Sequence, residues 1–382
     1  MFKKTIAALA VAGAFGTMAA GAVYAADVTL YGVVDLGLKY SHVDADQSGV
    51  DAVDKLEMKS GSQSGSRFGI KGAEDVGNGL KVGFQLENGY YLDNGDMRYP
   101  TGAGDSRLFG REARLWVKGG FGTLNFGRIG GFSSSAGTYD LFCATAESFD
   151  GGDGNFGTAF AMSSRHDNSV VYASPNLAGL ELFAAYSFQN DGAENAQTTK
   201  NKRYAGLAAR YSAERFQIVG TAERIMKAND GTGTKNTEDA TIIGIGGNAD
   251  MQWTKFFAFA QYAANVDSLA MISAADAFPA SSDENRGFKG LSLHLGAVTP
   301  AGNGFFTTGL YYVDGESETS IKADVDYWAA LARYTYRLSK RTSLYGGIGY
   351  AEKELSMAAH AANANAVKTK SAQAYCGITT KF

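Results

Sequence analysis

The residues of this sequence with the clearest chemical potential are charged side chains set between apolar ones. In one segment, Arg67 and Lys71 alternate with Phe68 and Ile70. Alternation of this kind places the two sets on opposite faces of a β-strand. A charged strand face of this kind can supply an electric field that attracts or repels ions in water, as charged rings do in channels.

Motifs for catalysis, metal binding or nucleotide binding are weak. The stretch 152–157 fits a dinucleotide glycine pattern, but it lacks the flanking strand and helix. The acidic run from Asp44 begins like a calcium loop, but its twelfth position is Lys55 rather than glutamate. The serines next to His166 do not form a triad by adjacency. We therefore expect no enzyme activity, no cofactor and no metal.

The composition favours an exported, strand-rich chain. Glycine is abundant at 49 residues, proline is scarce at 4, and aromatic residues reach 12 %. The net charge of −4 lacks the basic bias of nucleic-acid-binding proteins, so no nucleic acid is expected as a partner. The two cysteines, Cys143 and Cys376, form no disulfide framework, and whether they pair stays open.

The first residues predict a secretory signal peptide over 1–25. Two lysines precede an apolar run over 5–20, and Ala25 provides the small residue before a cleavage site. A short N-terminal membrane anchor is the alternative. No apolar run of about 18 residues follows. The mature chain would span 26–382 as one domain.

Period-two alternation recurs along the mature chain. It predicts sixteen strands, near 27–40, 57–72, 79–91, 107–118, 121–128, 168–175, 179–189, 202–213, 215–226, 238–251, 253–265, 286–299, 304–315, 325–338, 341–352 and 371–382. Most exceed the ~9–11 residues that a tilted strand needs to cross a bilayer. Short turns alternate with long polar stretches, as in an up-and-down barrel whose two rims differ. We therefore predict an all-β fold, a sixteen-stranded antiparallel transmembrane β-barrel.

Several segments resemble one known family. They are 27–35, the strand–turn–strand block 64–81, the segment 121–128, Tyr139–Phe142 and the final Phe382. These segments resemble the general Gram-negative porins, especially the betaproteobacterial-type trimeric members. The resemblance implies export through the periplasm to the outer membrane, and a homotrimer surrounded by outer-membrane lipid. It also implies passive diffusion of ions and small hydrophilic solutes through each protomer, and a third loop, here 129–167, that folds inward to narrow the pore.

The predicted constriction sets wall bases against loop acids. The wall residues, placed by strand parity or at strand ends, are Arg67, Lys71, Lys81, Glu87, Arg111, Arg114 and Arg128. The loop residues are Asp140, Glu147, Asp150 and Asp153, with no Lys or Arg from 129 to 164. Facing each other, these groups would create a field across the pore. Loop acids solvated outside the pore are the alternative. Glu112, an acid where a neutral or basic residue is expected, leaves the ion preference open.

Two other functions stay open at this stage. A substrate-specific channel on the same fold would need an aromatic path along the lumen. The alternation of residues along the strands does not by itself establish such a path. The sequence is compatible with a place in the aromatic girdle or in the lumen for the three tryptophans, Trp116, Trp253 and Trp328. An adhesin or enzyme that uses the barrel as an anchor would need a large soluble insertion or a convincing triad, and the sequence has neither.

Overall fold

The computed structural model describes nine stretches of the chain. They are residues 27–46, 49–99, 107–149, 159–197, 200–227, 238–273, 287–318, 322–357 and 367–382. The predicted signal peptide and the loop acids Asp150 and Asp153 lie outside these stretches. Within the described stretches, no helix is both long enough and apolar enough to span a membrane.

Strands make up most of the regular structure. They are β1 Asp27–Ala45, β2 Val53–Ser60, β3 Arg67–Gly77, β4 Leu80–Gly89, β5 Glu112–Gly119, β6 Gly122–Gly130, β7 Arg165–Ala173, β8 Leu180–Ser187, β9 Arg203–Ser212, β10 Phe216–Met226, β11 Ala240–Asp250, β12 Lys255–Val266, β13 Ser268–Leu269, β14 Ile272–Ser273, β15 Phe288–Ala301, β16 Gly304–Ser317, β17 Ala323–Arg337, β18 Thr342–Met357 and β19 Val367–Lys381. A short helix, α1, spans Leu141–Ala146 between β6 and β7.

The strands close into one antiparallel barrel. Each wall strand pairs with the next, and β19 returns to pair with β1 from Val33↔Lys381 onward. Both β2 and β3 pair with β1, along different parts of its length. Together, β2 and β3 therefore count as a single strand of the barrel wall. A separate small hairpin is formed by β13 and β14. The prediction of a closed sixteen-stranded barrel is confirmed, with the second barrel strand interrupted.

The interruption between β2 and β3 is held together by polar contacts to β1. The backbone N–H of Asp35 donates to the Ser66 hydroxyl at 3.1 Å, and that hydroxyl donates to the Asp35 carbonyl at 3.0 Å. The Asp35 carboxylate accepts from the Ser64 N–H at 3.2 Å and from the Tyr345 hydroxyl at 2.8 Å. These bonds replace the missing ladder bonds, because buried backbone groups need partners. The segment 61–66 is thereby fixed on the inner side of the wall.

Alternate residues of each strand face the lumen and the membrane. In β17, Val325, Tyr327 and Ala329 are buried on the inner side, while Trp328 points outward and is 42 % exposed. The outward sets of the other strands carry large apolar side chains such as Leu207 and Ile245. A band of large apolar side chains on the outer face is the arrangement of a membrane barrel.

The two rims differ as the sequence predicts. Short turns join β5 to β6, β7 to β8, β9 to β10, β11 to β12, β15 to β16 and β17 to β18. We call this end the short-turn rim and the other end the loop rim. The turn between β3 and β4 places Asn78 at a φ of 54°, and its neighbours Gly77 and Gly79 also have positive φ. The two cysteines do not pair: Cys143 is buried in α1, and Cys376 is exposed on β19.

Candidate constriction site

The loop between β6 and β7 leaves the rim and packs against the inner wall. The backbone N–H of Phe132 donates to Oε2 of Glu223 at 2.9 Å and contacts the Tyr204 hydroxyl at 3.2 Å. The Tyr204 hydroxyl donates to the same Glu223 oxygen at 2.6 Å. Tyr204 and Glu223 are buried on the inner faces of β9 and β10. The first part of the loop is therefore anchored inside the barrel.

Helix α1 continues this course along β10, β11 and β12. The ring of Phe142 lies 5.1 Å from the ring of Phe259 on β12, and Phe160 lies 4.9 Å from the same ring. The side-chain amide of Asn248 donates to the Thr145 carbonyl at 2.7 Å. Apolar packing and one buried hydrogen bond thus hold the helix against the wall.

Beyond α1, the loop is held by β15 and β16. The Tyr311 hydroxyl donates to the Glu147 carboxylate. Nδ1 of His294 lies 3.0 Å from the Leu310 carbonyl, which accepts only, so Nδ1 holds the proton. Nε2 is then the acceptor for the Ser148 backbone N–H at 3.2 Å. Glu147 therefore anchors the loop to the wall.

Inward-facing glycines make room for these loop side chains. A Cβ on Gly244 would lie 2.5 Å from the Phe142 ring, and one on Gly246 would lie 2.5 Å from Cβ of Ala146. The same holds at other points where the loop meets the wall. We call the set the glycine seat, and its members are Gly206, Gly244, Gly246, Gly296 and Gly309. Because these residues lack side chains, the loop lies directly on the backbone of the wall.

The opposite side of the lumen holds a polar cavity of about 400 Å³. Its charged lining residues are Arg67, Arg98, Arg111, Arg165, Glu87, Glu112 and Asp140. The bases come from β3, from the loop after β4, from the residue just before β5 and from the start of β7. Asp140 comes from the inward-folded loop. The cavity therefore lies where the loop faces the wall of β3 to β5, and we call it the arginine-lined cavity.

Glu87 organises the wall side of this cavity. Its carboxylate accepts from Arg111 Nε at 2.5 Å and from the Tyr31 hydroxyl at 3.0 Å, and Nε of Arg67 lies 3.8 Å away. Arg67 also donates to the Gly65 carbonyl at 2.9 Å, within the segment that interrupts the second barrel strand. These contacts hold both guanidiniums at the lumen surface.

A second acidic group links the wall to the loop. Glu112 is buried and lies 2.8 Å from Nε of Arg114. The Thr138 hydroxyl of the loop donates to Glu112 at 3.0 Å, and Arg114 donates to the Thr138 oxygen at 3.2 Å. Glu112, for which a neutral or basic residue was expected, therefore pairs with Arg114 and holds the loop through Thr138.

Tyr99 lies among three arginines at the loop-rim side of the cavity. The Arg165 guanidinium is 4.3 Å above its ring, and those of Arg98 and Arg111 lie 5.6 Å and 5.8 Å from it. Burial alone would raise the pKa of Tyr99. The positive charges of Arg165, Arg111 and Arg98 outweigh this effect and hold the Tyr99 pKa below its ordinary value.

The structure brings four of the predicted site residues together at the arginine-lined cavity. These are Arg67, Glu87, Arg111 and Asp140. Glu147 belongs to the same loop but contacts the wall behind it rather than the cavity.

Four predicted wall residues lie elsewhere. Lys71 and Arg114 line a separate cavity closer to the short-turn rim. Lys81 is exposed at that rim, 4.0 Å from Asp75. Arg128 donates to Asp167 at 2.7 Å, towards the loop rim. Strand parity placed Lys71, Lys81 and Arg114 on the lumen side without assigning their height along the pore, and Arg128 was predicted from its place at a strand end.

Sequence reasoning missed Arg98, Tyr99 and Arg165. Arg98 and Tyr99 belong to the polar stretch read as an outer loop. Arg165 begins β7 before the irregularity at Asn168, whose φ is 49°. This irregularity interrupts the alternation of inward and outward side chains. Counting from the regular part of β7 therefore does not predict which way Arg165 points. The one signal in the sequence is that Arg165 is the first base after a long stretch without any.

A family model described as Gram-negative porin matches residues 7–354. An outer membrane porin protein of Bordetella pertussis is 30 % identical and covers 92 % of this chain and 94 % of its own. Outer membrane porin protein 32 of Delftia acidovorans is 26 % identical and covers 91 % of this chain and 89 % of its own.

Solved structures show the same barrel. The anion-selective porin from Comamonas acidovorans superposes with a TM-score of 0.68 at 23 % identity, and the match covers 94 % of this chain and all of that one. The OmpT protein of Vibrio cholerae, in its trimer form, gives a TM-score of 0.56 at 16 % identity, with 94 % of this chain covered.

Proposed function

This chain belongs to the Gram-negative porin family, and we propose that its pore is narrowest at the arginine-lined cavity and favours small anions. The family membership makes it an outer-membrane porin, through which ions and small hydrophilic solutes diffuse in an aqueous channel. A barrel of this size is too wide to be filled by its own wall side chains, so a loop has to narrow it. The position of the narrowest point and the preference for anions are our proposals.

The position is supported by what fills the rest of the lumen. From β9 to β16, the inner wall is covered by the loop, which lies on the glycine seat. The wall of β3 to β5 is not covered in this way and borders the arginine-lined cavity. Ions would therefore pass between Asp140 on the loop and Arg67 on the wall.

The preference for anions is supported by the balance of charge, and this observation carries the proposal. Four arginines and three acids line the cavity. Of the acids, Glu87 is paired with Arg111 and Glu112 with Arg114, which lies outside the cavity lining. Among the described residues, no carboxylate lies within ion-pair distance of Arg98 or Arg165. A surplus of positive field at a narrow point lowers the energy of an anion and raises that of a cation.

The test is the reversal potential of the purified porin in a planar bilayer under a roughly tenfold KCl gradient. We expect a potential of the sign given by chloride permeation, and a smaller potential for the double variant R98Q/R165Q. R341Q, an exposed arginine in a short turn, serves as the matched control. A potential of the sign given by potassium would overturn the preference for anions. No effect of R98Q/R165Q would remove these arginines from the ion path.

We also propose that the protein assembles as a homotrimer in outer-membrane lipid. Support comes from the trimer form of the Vibrio cholerae neighbour, which shares the barrel fold. Native mass spectrometry of the detergent-solubilised protein would give the number of chains, and a monomer under conditions that keep the barrel folded would contradict the proposal.

A further inference from the structure

A second cavity, of about 440 Å³, lies below the constriction on the side of the short-turn rim. It is lined by Asp27, Thr29, Lys71, Gly72, Ala73, Phe84, Gln85, Arg114, Trp116, Lys118 and Thr123. We call it the Trp116 cavity. It shares Gln85 with the arginine-lined cavity. A solute that has passed the constriction would therefore meet the Trp116 cavity next.

Trp116 is a lumen residue and not part of the membrane girdle. Its neighbours Leu115 and Val117 point outward, and Leu115 is 51 % exposed on the membrane side. In the ladder, Trp116 stands opposite Gly83. A Cβ on Gly83 would lie 2.1 Å from Cζ2 of Trp116, so the indole lies over the glycine backbone of β4. The residue is half-buried, and part of its ring system borders the cavity.

Basic side chains flank this indole on both sides along the pore. Arg114 precedes it by two residues and is held by Asn125 at 2.7 Å and by Gln85 at 2.8 Å, but its charge is already balanced by Glu112, 2.8 Å from its Nε. Lys118 follows it by two residues and is exposed. Lys118 also stands directly opposite Lys81 in the ladder. Like charges placed opposite each other destabilise a sheet. Asp75 lies 4.0 Å from Lys81 and offsets part of this repulsion, and an anion bound at Lys118 would relieve the rest.

Lys71 adds a third cation from β3. It is exposed to the lumen, and its Nζ lies 5.2 Å from the ring centroid of Tyr31. Of the described residues that line the Trp116 cavity, Asp27 is the one carboxylate. The cavity thus combines an aromatic surface with a net positive charge.

We propose that the Trp116 cavity binds aromatic carboxylates, with the ring against Trp116 and the carboxylate held by Lys71 and Lys118. This inference rests on the proposed passage of anions through the constriction above it. An aromatic ring gains from contact with an indole beyond the area that it buries. A carboxylate gains from ammonium groups in a lumen that is less polar than bulk water. A saturated ring of the same charge retains only the second contribution.

The experiment measures block of chloride current through the folded porin in a planar bilayer. Benzoate and cyclohexanecarboxylate, two probes of equal charge and similar size, are added to either chamber. We expect benzoate to block half the current at an about 3- to 10-fold lower concentration. W116L should abolish this difference, W116F should keep most of it, and K118Q should weaken the block by both probes. W328L, which removes an outward-facing tryptophan, should leave the difference unchanged.

Equal block by the two probes in the wild-type porin would overturn the inference, as would a benzoate preference that survives W116L. The reversal potential in KCl, recorded on the same channels, separates this failure from failure of the proposed function. A porin that prefers chloride but does not distinguish the probes refutes only the Trp116 site. A porin that prefers potassium refutes the preference for anions on which the site rests.

Discussion

The ring of Phe142 lies directly over Gly244, so that a Cβ at Gly244 would approach within 2.5 Å of Cε2 of the ring. One residue belongs to the inward-folded loop and the other to the wall strand β11. The distance from the wall to the loop is therefore set by the absence of a side chain at Gly244. Because the loop occupies the lumen, this contact on one side determines how much space is left on the other.

Substitution of Gly244 should narrow the pore. In G244A, the added methyl group would push α1 towards the arginine-lined cavity, and overpacking of this kind costs about 1–3 kcal/mol. We expect a lower single-channel conductance and a lower melting temperature. G220A is the control, since Gly220 is on the neighbouring strand and its Cβ would have only one contact, at 4.0 Å. Equal conductance of the two variants would show that the glycine seat does not set the pore.

Loss of the Tyr311 hydroxyl should loosen the loop. Y311F removes the donor to Glu147 and leaves a buried carboxylate one hydrogen bond short, which costs about 1–3 kcal/mol. We expect greater current noise in single-channel records and faster entry of larger sugars in liposome swelling. Y312F changes the next residue, which points outward and is 45 % exposed, and should behave as the wild type. Noise equal to that of Y312F would mean that this bond does not restrain the loop.

Reversal of one charge in the wall should change ion selectivity. R67E replaces a guanidinium that lines the arginine-lined cavity. We expect the reversal potential to shift in the direction of cation selectivity by on the order of 10 mV. A fully selective channel would give roughly 59 mV under a tenfold gradient. R341E, in the short turn before β18, should move it much less. An unchanged potential in R67E would place Arg67 outside the ion path.

The ion preference should also depend on pH through Tyr99. A free tyrosine ionises near pH 10, and the surrounding arginines hold the Tyr99 pKa lower. As the pH rises towards 10, the neutral phenol becomes a phenolate and offsets part of the arginine charge. The preference for anions should therefore begin to fall below the pH at which a free tyrosine ionises, and Y99F should remove this part of the decline. The same decline in Y99F would assign the titration to another group.

Much of the barrel could be predicted from local pattern. In β17, the alternation of Val325 and Tyr327 with Trp328 is repeated in the burial of the same residues. The contrast between short turns and long polar stretches also correctly separates the two rims. The break between β2 and β3 was not predicted, because it depends on the bonds of Ser66 and Ser64 to Asp35, more than twenty-five residues earlier in the chain.

The candidate site was predictable only in part. Parity places Arg67 on the lumen side, and the structure sets it beside Glu87 and Arg111. Parity does not say that Lys71 lies below the constriction, since height along the pore depends on strand tilt and register around the whole barrel. Asp140 and Glu147 look alike in sequence, yet one lines the cavity and the other bonds to Tyr311 on the wall behind it.

The sequence by itself determined which side chains of each strand face the lumen, how many strands the barrel has, and which rim carries the short turns. Each of these follows from residues close together in the chain, through the period of two that a strand imposes. Only the tertiary structure decided which side of the lumen the loop covers and which charges meet in the space that is left. Those contacts, such as Phe142 on Gly244 and Arg165 over Tyr99, join residues from different strands and loops. The distances between these residues are set by closure of the barrel, and no local sequence pattern encodes that closure.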